Sequence, residues 1–157
     1  MHTYLNELLE WYRGEVGGEA FFAARARDTG DPRLAAKWQK LAQLERYVAD
    51  RLRTELEARG VPMPPATEDL ERGRNSAREY RDLNWLEALS RLRPELVRYV
   101  RDFHAAESRM PDELLPLAQF VTAHEQALLE FTTRELEQDD ARSLQSVLSL
   151  LGEAAPE

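Results

Sequence analysis

The sequence predicts an all-α protein: a four-helix bundle over residues 1–152, with one long crossover and a short C-terminal helix. Three observations predict it. Apolar residues recur at three- and four-residue steps along most of the chain. Clusters of Gly, Pro and Asp interrupt that rhythm at a few points. No segment alternates apolar and polar residues as a half-buried strand would.

The first helix is expected from Thr3, as its cap, to about Asp28. Leu5, Leu8, Tyr12, Glu15, Glu19, Phe22 and Ala26 share one face of it. Gly14, Gly17 and Gly18 weaken this helix and give a neighbour room to approach. Thr29-Gly30-Asp31-Pro32 breaks the chain: Gly30 suits a left-handed helix end, Asp31 an N-cap and Pro32 the first helical position. The second helix runs to about Arg59 before Gly60, with Trp38, Leu41, Glu45, Val48, Leu52 and Leu56 inward.

From Val61 to about Leu83 the pattern weakens. This stretch reads as the crossover, with a short polar helix near Leu70–Tyr80, Thr67 as a possible cap and Glu68–Arg72 as a solvated face. The third long helix spans about Asn84–Ser108, with Leu89, Leu92, Leu96, Tyr99, Val100 and Phe103 inward, and Pro94 is expected to kink or divide it. After Met110-Pro111-Asp112 the fourth helix reaches about Glu137, carrying Leu114, Leu117, Val121, His124, Glu125, Leu128 and Phe131. Asp139 or Asp140 can cap a last helix, Ser143–Leu151, and residues 153–157 form a loose tail.

Bulk properties exclude several classes. The 157 residues suit one domain that buries its own core. A net charge of -8, with arginines spread through every segment, disfavours nucleic acid and anionic membranes. There are no cysteines, hence no disulfide, thiolate metal site or cysteine nucleophile. No signal peptide and no run of roughly 20 apolar residues is seen, so the expected location is the cytoplasm. No phosphate-cradling loop, hydrolase elbow or zinc motif occurs.

The informative feature is acid inside apolar stripes. Glu15, Glu19, Glu45, Glu95 and Glu125 all fall on inward-reading faces. An acid there needs a cation, a proton or a hydrogen-bond partner. Glu15 and Glu45 lie about equally far from the first turn, as do Glu95 and Glu125 from the second. Each distance is roughly 15 residues, or about 22 Å at 1.5 Å per residue. Four acids from four helices are thus expected to share one layer, with Glu19 one turn off it. His124 adjoins Glu125, whereas His104 lies roughly 13 Å along its helix from the acid level.

On connectivity, inward glutamates and the phrases Glu15-Val16-Gly17-Gly18-Glu19-Ala20-Phe21-Phe22, Leu41-Ala42-Gln43-Leu44-Glu45 and His124-Glu125-Gln126-Ala127-Leu128, the chain resembles the ferritin-like superfamily, which includes rubrerythrins and bacterioferritins. The resemblance covers most of residues 3–137. It implies a centre in which one helix of each hairpin gives a Glu and the other Glu-x-x-His, holding two irons. Here Val48 and Leu128 stand where those histidines belong. The implied metal ligands are Glu15 or Glu19, Glu45, Glu95 and Glu125, with His124 as an optional sixth candidate. The cofactor is iron or manganese, or none if the bundle has lost its metals. An all-oxygen set suits a hard cation such as manganese or magnesium.

Two other functions fit the sequence. One is a non-enzymatic homodimeric scaffold, its interface supplied by Trp11, Tyr4 and Leu9, which lie off the main stripe. The other is a small-ligand binder using space between helices.

Overall fold

A computed structural model describes residues 2–153, and the protein is all-helical, with no strand among them. The α-helices are α1 (Thr3–Asp28), α2 (Pro32–Ala58), α3 (Thr67–Glu79), α4 (Trp85–Ala106), α5 (Leu115–Leu136) and α6 (Gln145–Leu151). Short 3-10 turns precede α5 and α6. The expected tail, residues 153–157, lies outside the described residues from Ala154 onward. The chain divides between Asp82 and Leu83 into two compact units. No described helix is long and apolar enough to cross a membrane.

In the first unit α1 and α2 form a hairpin. Asp31 Oδ1 accepts from the backbone N–H groups of Arg33 (2.8 Å) and Leu34 (3.4 Å), and Pro32 opens the helix. Two expectations fail locally. His2, not Thr3, takes the N-cap position of α1, without a side-chain hydrogen bond. Gly30 does not adopt positive φ, because Thr29 already leaves the helix in an extended conformation. Gly60 does, with φ of 74°, and it terminates α2 as the sequence suggests.

The hairpin register is fixed by three cross-helix contacts. Arg53 donates to the Tyr12 hydroxyl at 2.6 Å. The Glu45 carboxylate lies against Gly18. Phe22 stacks on Trp38 with ring centroids 5.7 Å apart. These pairs run in opposite directions along the two helices, as an antiparallel hairpin requires. The expected α2 stripe is buried throughout, and every expected α1 position except Glu19 is buried. Each fully buried Leu of this core contributes about 1.5–3 kcal/mol of apolar burial.

The crossover contains α3, which starts at Thr67 rather than Leu70 and is preceded by Ala66 with no side-chain cap. It packs on α1 through Asp69, Gly73 and Ala77. A β-carbon at Gly73 would overlap the carbonyl oxygen of Gly17 and come within 3.0 Å of its carbon. Gly17 and Gly73 therefore let two helix backbones touch.

In the second unit α4 packs on α5. Asn84 and Glu87 form a reciprocal capping box at the start of α4. Pro94, expected to kink or divide the helix, does not divide it, and α4 runs as one helix to Ala106. Pro94 faces solvent, where the carbonyl that loses its donor can bond to water. The α5 stripe is buried at every expected position. On α4 only Leu89, Leu92 and Leu96 of the expected set are buried; Tyr99 is exposed and Val100 and Phe103 are half-buried. The indole N–H of Trp85 donates to Glu135 Oε1 at 3.0 Å, and the same ring meets Phe131 edge-on. Neither 3-10 turn nor helix near residue 140 is capped by a side chain of Asp139; that carboxylate instead accepts from Arg134 and Arg142.

Candidate functional site

Of the six expected ligands, Glu15 and Glu45 belong to the first unit and are 2% and 4% exposed. A carboxylate oxygen of one lies within 4.8 Å of one of the other. The register explains the meeting: Gly18 and Glu45 oppose each other, and Glu15 lies one turn before Gly18 on the same face of α1. Two carboxylates at that separation in a buried setting do not both carry charge cheaply, and a cation or a shared proton between them removes the repulsion.

Glu19, also in the first unit, is only half-buried. Burial raises its pKa above the ordinary carboxylate value, Arg46 opposes the shift, and Asp50 and Glu45 add to it. It flanks the buried pair rather than joining it.

In the second unit His124 and Glu125 are buried. His124 Nδ1 meets the carbonyl oxygen of Val121. A carbonyl only accepts, so Nδ1 donates to it, and Nε2 is the nitrogen turned toward Glu125. That nitrogen lies 3.5 Å from Glu125 Oε1. A nitrogen and a carboxylate oxygen so placed share either a proton or a cation, and the Nδ1 bond to a carbonyl is the support that ligating histidines commonly have.

Glu95 does not fit. It is exposed, and this corrects the inward assignment made from the α4 pattern. The buried positions of α4 centre on Leu89, Leu92 and Leu96; at 100° per residue, Glu95 lies roughly 90° round the helix from that centre. It is still close enough to act electrostatically on Tyr99, an exposed residue whose hydroxyl is nonetheless partly desolvated; that desolvation first, and Glu95 next, raise its pKa.

The ligand set does not fit the di-iron centre that the resemblance implies. Val48 and Leu128, at the two histidine positions, are 0% and 2% exposed apolar residues. They offer no lone pair to iron, and no reaction step is assigned to such a centre. Comparison with family models, curated proteins and solved structures returns no match.

Sequence reasoning missed three features. The expected solvated face Glu68–Arg72 includes Asp69, which is 2% exposed and accepts from Arg13 at 3.2 Å and Arg72 at 2.8 Å. The signal was present as the four-residue stripe Asp69, Gly73, Ala77, but it lacks large apolar residues. Arg25 is also buried. It lies over the Trp38 ring at 5.7 Å and donates to the Tyr80 carbonyl at 3.2 Å, where it caps the end of α3; burial lowers its pKa. Glu135 is the third. It falls one turn after Phe131 on the α5 stripe and could have been read from that spacing.

Two observations bear on the other functions. Trp11, expected at a dimer interface, is 8% exposed, while Tyr4 and Leu9 are half-buried. An open cleft of about 590 Å³ lies between α5 and α6, lined largely by Ala123, Ala127, Ser146 and Ser149.

Proposed function

We propose that this chain is a ferritin-like helical protein that holds a hard divalent cation through interior glutamates and carries out no di-iron oxygen chemistry. The observation that carries the reading is the buried Glu15–Glu45 pair, with carboxylate oxygens within 4.8 Å of each other. Carboxylate oxygens favour manganese, magnesium or ferrous iron over softer metals. His124 and Glu125 supply a second donor pair of borderline character, which favours manganese or iron over magnesium.

Calorimetric titration of chelator-treated, dialysed protein with manganese(II) tests this. The wild type is expected to bind, and Glu15→Gln combined with Glu45→Gln to lose most of the binding heat. Wild-type protein that takes up no manganese, iron or magnesium would remove the reading. Undiminished binding by the double variant would remove the assignment to Glu15 and Glu45.

A second reading, a homodimeric scaffold without chemistry, is favoured by Leu86 and Val97. They are 47% and 44% exposed and stand about three turns apart on one face of α4. Light scattering at high protein concentration separates it: a strict monomer excludes the dimer.

A further inference from the structure

Gly18 of α1 faces Glu45 of α2 inside the first unit. A β-carbon built on Gly18 would overlap Glu45 Oε2 and lie 3.1 Å from its Cδ. The carboxylate therefore occupies the space that any side chain at position 18 would fill. Glu45 ends in a flexible chain and could in principle swing aside, but at 4% exposure it has no solvent to swing into. The other glycines of α1 differ. Gly14 has nothing within 4 Å of its added β-carbon, and Gly17 meets α3 at Arg72 and Asp69. Glycine weakens the interior of a helix relative to alanine. At position 18 the lost propensity is matched by a specific gain, the seat of one acid.

We infer that Gly18 is a positioning residue: its missing side chain sets where the Glu45 carboxylate lies, and so where a hard divalent cation is held against Glu15. The seat rests on geometry alone. Its role toward the cation rests on the function proposed above.

Four proteins decide the seat: wild type, Gly18→Ala, Glu45→Ala and the double variant. If Glu45 fills the space at position 18, Gly18→Ala lowers Tm in the wild-type background. It raises Tm in the Glu45→Ala background, where alanine's higher helix propensity acts unopposed. Equal Tm changes in both backgrounds would overturn the seat. Gly73→Ala is the contrast: its β-carbon meets the Gly17 backbone, so it lowers Tm whatever stands at position 45.

The metal arm uses manganese(II). Gly18→Ala is expected to weaken binding at least tenfold. Adding Glu45→Asp, an acid one methylene shorter, should recover part of that loss, which general damage to the fold would not do. Unchanged affinity in Gly18→Ala would overturn the positioning role. A wild type that binds no manganese would remove the cation reading and the metal role with it, while the four melting temperatures still decide the seat.

Discussion

Arg13 and Asp69, 56 residues apart in the chain, form a 3.2 Å ion pair that ties α3 to α1. Asp69 also accepts from Arg72 at 2.8 Å, and Arg72 donates onward to the Arg13 carbonyl at 3.1 Å. At the other end of α3, Arg25 donates to the Tyr80 carbonyl. Two arginines of α1 thus hold both ends of a helix with little apolar surface. The Gly17–Gly73 approach lies between them.

Removing the acid should cost more than removing either base. Asp69 accepts from both Arg13 and Arg72, so its loss breaks both bonds, whereas the loss of either arginine leaves the buried carboxylate one partner. Asp69→Ala is expected to lose about 1–3 kcal/mol, and Arg13→Ala less, because Arg72 still serves the carboxylate. Urea denaturation of both variants measures the order. A larger loss for Arg13→Ala would contradict it.

This clamp shows where the sequence was legible and where it was not. The α2 and α5 stripes were readable because Trp38, Leu41, Val121 and Phe131 are large, apolar and regularly spaced. The inner face of α3 is Asp69, Gly73 and Ala77, which is invisible to a pattern built on hydrophobicity. Glu95 was misplaced for a related reason. Periodicity finds a stripe but fixes its edges poorly, and one residue of helix rotation carries a flanking acid from core to solvent. The Glu15–Glu45 meeting was readable because both lie equally far from a well-marked turn. No pattern in the sequence could show that Gly18, among three glycines of α1, is the one against Glu45.

Glu19 should make stability depend on pH. Burial raises its folded-state pKa above the ordinary 4.5, so the folded protein binds that proton more tightly than the unfolded chain. Its contribution is favourable below the ordinary value and is lost as pH rises through the folded value. Glu19→Gln removes this dependence. Its Tm, relative to wild type, should rise from acid toward neutral pH and then level off. Melting curves from about pH 4 to about pH 8 on the metal-free proteins, a span that runs from the ordinary carboxylate value upward, check this, and a Tm difference constant with pH would contradict it.

Gln138 ends α5 with φ of 62°, a left-handed conformation unusual for a residue with a side chain. The Asp139 N–H closes the helix end onto the Arg134 carbonyl at 2.8 Å. Glycine adopts this conformation without the β-carbon penalty. Gln138→Gly should therefore stabilise the protein by about 0.5–1 kcal/mol, after allowing for glycine's extra unfolded-state freedom. Denaturant midpoints measure it; a clear loss of stability would count against a left-handed Gln138.

Crystals soaked in manganese(II) and examined by anomalous diffraction give the sharpest check on the Glu15–Glu45 pair as a metal site. A manganese peak is expected about 2.0–2.3 Å from carboxylate oxygens of both Glu15 and Glu45. Manganese found only on exposed acids such as Glu95, with none at the Glu15–Glu45 pair, would contradict it.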